Sequence, residues 1–325
     1  MAHLTSGVGV RVRVPASSAN IGPGFDSVGL ALALHDESEI RLEGDRIRVE
    51  VEGEGAGVLP EDHEHLILRA LSGTWSHLGV RPPAGLTVRS RNRIPQGRGL
   101  GSSAAAIVTG VVAAQALAVL GAEEQDRAPG EEVEVDRNLA RDLASEMEGH
   151  PDNASASVLG GMTLSWAAEE AGSWCTTRLA VHRSVEATVL VPSAALATST
   201  ARAVLPELVP HVDAARNAAR AALLVEAVTR RPELLLPATR DWLHQEARRT
   251  AFPASMALVD RLRAGGCAAV ISGAGPSVLV LGPPEQTTLV RRLVEDAGGS
   301  GDWAVLQPGL AASGVAVRVS GPPFA

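Results

Sequence analysis

Between Gly101 and Gly121 the chain reads GSSAAAIVTGVVAAQALAVLG, without one charged side chain. A helix of this composition has no polar face to turn towards water, so it must be enclosed on all sides, by protein or by lipid. Its alanine content suits close packing inside a protein, and the helix predicted from Ser103 to about Leu120 is read as a buried core helix. A chain of 325 residues, 45% of them hydrophobic, is long enough to enclose it.

The residues before the helix narrow what the core can serve. In IPQGRGLG, Ile94 to Gly101, the glycines at 97, 99 and 101 allow positive φ and close approach to a ligand, and Ser102 and Ser103 stand where the helix starts. First-turn amides and the helix dipole there form an anion site without any cationic side chain. A phosphate is the natural occupant, and a turn without a ligand is the alternative. Spacing removes three relatives of such a loop. A nucleophile elbow needs glycine two residues after the serine, where Ala105 stands. A dinucleotide turn needs glycine at position 102, where Ser102 stands. A Walker A loop needs lysine, and all 29 basic residues are arginine. The same absence excludes a lysine Schiff base.

Serine at the start of the helix can also offer its hydroxyl to Mg²⁺, with a carboxylate completing the site. RDLASEMEGHPDN supplies Asp142, Glu146, Glu148 and Asp152; a solvated acidic helix face is the competing reading. The net charge of −8, from 37 acids and 29 bases, leaves no basic stripe for nucleic acid, and 2% aromatics with no tyrosine give no stacking platform. A small molecule is the expected partner. Cys175 and Cys267 are too few for a disulfide framework or a zinc ribbon, and MAHLTSGVGVRVRVPASSAN lacks the regions of a signal peptide. The expected location is the cytoplasm, with no membrane partner.

Alternation predicts strands at residues 8–14, ended by Pro15, at 46–53 and at 85–91, with a helix in EDHEHLILRALSGTWSHLG between the last two. A charged stretch, residues 121–138, reads as a solvated surface insertion, and a helix follows from about Leu139 to Glu148. Beyond Gly161 come strands at MTLSW and EATVLVP, helices near ARAVLP and DAARNAARAALLVEAV, then CAAVISG, PSVLVLG, the helix TTLVRRLVEDA and the strand GVAVRVS. This alternation predicts an α+β protein of two domains, 8–160 and 161–325, with the last strand free to pair across the boundary.

Three segments resemble the motifs of the GHMP small-molecule kinases, in the family's order: PASSANIGPGFDSVGLALAL, PQGRGLGSSAAA and ISGAGPSVLVL. ANIGPGFD and EGHPDNASASVLGG are similar to its members that act on homoserine, and the resemblance runs from about residue 10 to 320. It implies an N-terminal domain like ribosomal protein S5, a ferredoxin-like C-terminal domain, and ATP-dependent phosphorylation of the side-chain hydroxyl of L-homoserine on the route to threonine. It implies ATP contacts from Pro95, Gly97, Gly99, Leu100, Gly101, Ser102, Ser103, Ala104 and Ala105. Mg²⁺ falls to Ser103 and Asp142, although the family more often has Glu at the latter position. Asn20, Asp26, His150, Asn153, Thr198, Arg202 and Arg248 match substrate positions, with Asp26 suited to the ammonium group and the two arginines to the carboxylate. His150, Asp152 and Asn153 of HPDN match the catalytic positions. Asn153 stands where mevalonate-type relatives carry an Asp base, so it is expected to orient the hydroxyl. His65 replaces an Asn that contacts adenine, HQEAR departs from HQPYR before Arg248, and GAGPS is expected to support the phosphate loop. A homodimer is a family expectation.

Overall fold

The computed structural model describes Leu4 and residues 6–122, 127–169, 173–194, 198–296 and 303–321; for 198–200 it describes the backbone alone. In chain order the first part comprises β1 (Gly9–Ala19), β2 (Val28–Arg41), β3 (Ile47–Gly53), α1 (Leu66–Leu78), β4 (Leu86–Asn92), α2 (Ser102–Ala122), α3 (Arg137–Glu148), α4 (Asp152–Leu159), β5 (Met162–Ala167) and β6 (Trp174–Leu179). The second comprises β7 (Glu186–Pro192), α5 (Thr198–Ala203), α6 (His211–Thr229), α7 (Leu235–Ala238), α8 (Pro253–Ala264), β8 (Ala268–Ile271), β9 (Val278–Gly282), α9 (Gln286–Glu295) and β10 (Trp303–Leu306), before β11 (Ala316–Val319).

The first sheet runs β11-β1-β2-β4-β3, with β5 joining β2 and β6 joining β5. Only β3 and β4 are parallel. Its strands at β5 and β6 lie beyond residue 161, so this layer extends to Leu179. Pro15 does not end the first strand as the sequence suggested. β1 continues to Ala19, because a register shift between Pro15 and Ala16 opposite β2 absorbs the residue that cannot donate. Strand β2 is the element that alternation concealed. Its residues Val28 to Leu32 are all buried, since β1 and β5 flank it and α4 covers its face, so no polar period is left to read.

Helix α2 packs against β1, α1, α3 and α4, and every residue from Ala104 to Leu117 except Ala106 is buried. It is long and apolar enough to cross a membrane, yet 72% of its most apolar window is buried inside the fold. Gly110 lets α1 approach: a Cβ at that position would overlap the Ile67 carbonyl oxygen. The Trp75 indole N–H then donates to the Ala114 carbonyl at 3.2 Å, tying the two helices at a buried point. Truncating a fully buried side chain here, such as Leu117→Ala, costs about 2–5 kcal/mol through lost transfer energy and the cavity left behind.

The second sheet is antiparallel in the order β10-β7-β9-β8, which is the ferredoxin-like arrangement of four strands with helices in their crossovers. The α+β prediction is thus met in both layers. After β10 the chain returns to the first sheet, and β11 pairs with β1 at Val12 and Val317. The charged stretch expected as a solvated insertion is partly built into this edge. Val133 N–H donates to the Val317 carbonyl at 2.9 Å, Val319 N–H to the Glu131 carbonyl at 2.8 Å, and Val133 is buried. The alternation EEVEVD hides inward valines among outward acids. Residues 123–126 of that stretch lie outside the described ones.

Candidate active site

Between β1 and β2 the chain turns through ANIGPGFD, and three non-glycine residues there adopt left-handed backbone: Asn20 at φ 69°, Ile21 at 48° and Asp26 at 51°. For β-branched Ile21, fully buried, this is strain that surrounding bonds must hold. They do so from both halves of the molecule. Asn20 Oδ1 accepts the Asp26 N–H at 3.0 Å, and its amide donates to the Gly273 carbonyl at 2.9 Å. Asn217 on α6 donates to the Pro23 carbonyl at 2.9 Å, and His244 Nε2 meets the Gly22 carbonyl at 2.8 Å. Asn20 therefore lines the site with both ends of its amide engaged in shaping the turn.

This turn borders a cavity of about 270 Å³ between the two sheets. One wall is the glycine loop: Gly97, Gly99, Gly101, Ser102 and Ser103 all face it. The first intrahelical bond runs from the Ala105 N–H to the Gly101 carbonyl at 2.9 Å, which leaves the amides of Ser102, Ser103 and Ala104 as first-turn donors. The remaining loop residues expected at ATP do not present side chains to this cavity. The Ala104 and Ala105 side chains and Leu100 are buried in the core, the Leu100 carbonyl accepts the Ser17 N–H at 3.0 Å, and Pro95 does not line the cavity. GAGPS supports the loop as expected. Ser272 Oγ donates to the Gly99 carbonyl at 2.7 Å, and a Cβ at Gly99, where φ is +68°, would overlap the Ser272 carbonyl oxygen. Arg98 reaches across to the Pro192 and Ser193 carbonyls at 2.9 and 2.7 Å, so it fastens the loop to the end of β7.

The opposite wall carries charge. Arg202 on α5 forks onto Asp26, with N···O distances of 2.7 and 3.2 Å. Arg248 is only 1% exposed, and its Nε donates to the Ala201 carbonyl at 2.9 Å while one amino group donates to His244 Nδ1 at 3.0 Å. No carboxylate pairs with it among the described residues. Burial, and secondarily the Arg202 charge, pull its pKa below the ordinary arginine value and outweigh the carboxylates of Asp26, Asp241 and Asp152, which act on it from a distance and raise it. Thr198 begins α5, and its side chain lies outside the described residues.

The floor is the start of α4. His150 Nδ1 and Asp152 Oδ1 are 2.6 Å apart, both residues are buried, and the same Asp152 oxygen accepts the Asn153 N–H at 2.7 Å. Burial lowers the His150 pKa, but the bonded Asp152 carboxylate outweighs it and the net shift is upward. Asn153 Oδ1 accepts the Ser17 hydroxyl at 3.0 Å, so its amide nitrogen is the end left for the cavity. Asp142 does not line this cavity, and its Oδ1 accepts from the Arg141 guanidinium at 2.8 Å. The carboxylate from α3 that does line the cavity is Glu148.

A second cavity of about 200 Å³ opens from the same loop, sharing Leu66, Gln96 and Ser102 with the first. Leu59, Pro60, Ile67 and Ala106 give it apolar walls, and Asp36 and His65 give it a polar end. His65 is 4% exposed, its Nδ1 has no hydrogen-bond partner among the described residues, and burial lowers its pKa. Burial pushes Asp36 up to about 6 against the two backbone N–H groups, Arg93 and Ile94, that its Oδ1 accepts. Sequence reasoning missed Ser17, Asn217 and His244. Ser17 and His244 lie inside quoted segments, PASSANIGPGFD and HQEAR, while nothing in the sequence marks Asn217.

The GHMP kinase N-terminal domain model matches residues 65–161, and the GHMP kinase C-terminal model matches residues 223–298. The chain is 51% identical over 308 residues to a homoserine kinase of Streptomyces avermitilis, covering 95% of both chains, and 50% identical to that of Streptomyces coelicolor, covering 95% and 94%. Among solved structures it superimposes on homoserine kinase from Cytophaga hutchinsonii with a TM-score of 0.80 at 24% identity, covering 95% and 97% of the two chains. It also superimposes on mevalonate diphosphate decarboxylase from Staphylococcus aureus with a TM-score of 0.67 at 14% identity, covering 95% and 98%. These last two likenesses concern the fold.

Proposed function

The chain belongs to the GHMP kinase family, and from that premise we propose the reaction it performs: transfer of the γ-phosphoryl group of ATP to the side-chain hydroxyl of L-homoserine, giving O-phospho-L-homoserine for threonine synthesis. The observation that carries the choice of substrate is the wall made by Asp26, Arg202 and Arg248. An α-amino acid brings one carboxylate and one ammonium group. Arg248 is a buried cation lacking the first, and Asp26 is the carboxylate suited to the second. Binding then exchanges the Arg202–Asp26 pair for pairs with the zwitterion.

Phosphoryl transfer asks for in-line positioning and charge neutralisation more than for a strong base. The bond from γ-phosphorus to the bridging oxygen breaks, the new bond to the substrate oxygen forms, and the hydroxyl proton departs. Asn153 offers a donor and no basic group, and His150 Nδ1 is engaged by Asp152, so the hydroxyl falls to Asn153 and no residue is assigned as its base. The proton leaves late, to phosphate. Asn153 orients the hydroxyl, and the amides at the start of α2 hold the phosphates. The apolar-walled second cavity takes the adenine ring.

Hydroxyl and carboxylate oxygens suit the hard Mg²⁺ ion, which would neutralise phosphate charge when bound. Asp152 and Asp26 are engaged by His150 and Arg202, so Ser103 and Glu148 are the residues to hold it, in place of Asp142. Glu148→Gln is expected to weaken Mg²⁺ dependence of turnover at least tenfold and Asp142→Asn to leave it unchanged; the reverse ranking restores Asp142. A homodimer and a cytoplasmic location complete the reading. ADP release measured with L-homoserine, L-threonine, L-serine, mevalonate and shikimate tests the substrate. Turnover on any of these ahead of L-homoserine refutes it.

A further inference from the structure

Resting on that reading of the substrate, the geometry points to His244 as a positioning residue: a neutral imidazole, locked in one tautomer, that sets Arg248 and the Asp26 turn at a fixed separation.

Both neighbours of the ring act in one direction only. At Nε2 lies the Gly22 carbonyl, 2.8 Å away, which can only accept. At Nδ1 lies an amino group of Arg248, 3.0 Å away, which can only donate. The ring therefore carries its proton on Nε2 and presents a lone pair to Arg248. The Asp241 carboxylate, 3.6 Å from Nε2, is likewise an acceptor. A second proton would set N–H against N–H at Arg248, and burial lowers the His244 pKa against the Asp241 and Asp26 charges that raise it. The ring's plane is fixed as well as its protonation. It stacks on Phe25 with centroids 5.1 Å apart, and the guanidinium of Arg248 lies 5.7 Å from the same Phe25 ring.

The consequence is a rigid connection. The Gly22 carbonyl belongs to the strained turn that ends at Asp26, and Arg248 is the unpaired cation across the cavity. With Nε of Arg248 on the Ala201 carbonyl and one amino group on His244 and, at 3.5 Å, the Gly273 carbonyl, the second amino group is the one left for a ligand. His244 touches neither ammonium nor carboxylate. It holds the two elements that do, the Asp26 turn through Gly22 and Arg248 directly.

Amide substitutions separate the two bonds. Asn at this position places an oxygen near Nδ1 and keeps an acceptor for Arg248; Gln places its amide near Nε2 and keeps only the donor for Gly22. Steady-state kinetics of the full chain with L-homoserine and ATP are expected to show H244A and H244Q raising the homoserine KM about tenfold, with kcat within about threefold and the ATP KM unchanged. H244N is expected to recover the homoserine KM to within about threefold of wild type. A structural role alone would lower thermal stability in all three without ranking their homoserine KM values. Equal KM in H244N and H244Q, or an unchanged KM in H244A, overturns the assignment. If H244A is recovered unfolded, the ratio of the homoserine KM values of H244N and H244Q decides between the two roles without it. A wild type that leaves L-homoserine unphosphorylated overturns the functional reading and this assignment together.

Discussion

Two hollows in this molecule are rich in arginine, and the larger is the less informative. A cleft of about 820 Å³ lies among α6, α7 and α8, and the cavity of about 270 Å³ lies between the sheets. In the outer cleft Arg249 has its counter-charges beside it, while the part-buried Arg263, like Arg248, is held by neutral oxygens. Arg249 pairs with Glu246 at 2.6 Å and Asp260 at 2.8 Å, and Arg263 donates to the Thr239 hydroxyl and the Ala269 carbonyl at 3.0 Å each. Asp241 spends its oxygens on the N–H groups of Leu243, His244 and Gln245. In the inner cavity Arg248, one residue before Arg249, is buried without a carboxylate, and the first-turn amides of α2 face open space. Volume says where a molecule could fit. Unanswered charge says which one is expected.

The contrast predicts an order of effects. Arg248→Met removes the buried cation and should lower kcat/KM for L-homoserine about a thousandfold, on the order of 4 kcal/mol, and should also lower the melting temperature, because the Ala201 carbonyl and His244 Nδ1 lose their buried donor. A loss below tenfold in that assay would break the contrast. Asn153→Ala should lower kcat about a hundredfold with the ATP KM almost constant; equal changes in both would reduce Asn153 to a binding group.

Asp36, at the end of the second cavity, gives a pH-dependent case. Its carboxyl is raised from 3.8 to about 6 by burial, so ionisation opposes folding, and wild-type stability falls as pH rises from about 4 through 6. Asp36→Asn keeps the acceptor for Arg93 and Ile94 and removes the charge. It should gain on the order of 1–3 kcal/mol at pH 8 and lose that gain below pH 4, as read by denaturant unfolding. Smallest of all, Arg249→Ala should change turnover less than about twofold and stability by about 1 kcal/mol or less, and less again in high salt. A larger effect on turnover would bring the outer cleft into the mechanism.

Much of this was legible in the sequence for a physical reason: loops that must approach a ligand restrict residue type. GRGLGSSAAA marked a helix start at Ser102, and the uncharged run behind it a buried helix. β2 was illegible because both of its faces are covered, and alternation needs one face wet. Which acidic residue before HPDN serves the cavity was illegible for a different reason. Four carboxyl side chains within eleven residues, 142–152, share a composition, and only the packing of α3 and the start of α4 decides which of them faces the cavity. His244 was hidden by its company, since a histidine four residues before an arginine on a polar turn carries no mark of a carbonyl waiting 222 positions earlier.

The pairing of β11 with β1 bears on how the chain is made. Position 10 lies beside position 319, so the edge of the first sheet stays open until nearly the whole chain has left the ribosome. During synthesis the bare edge of β1 is a template for any passing strand, and closing so long a loop is the slow, entropy-limited step. The strand that carries the Asp26 turn is thus the last of its sheet to be sealed, and a nascent chain halted before residue 316 has a glycine loop and a phosphate cradle on a sheet still open at one side.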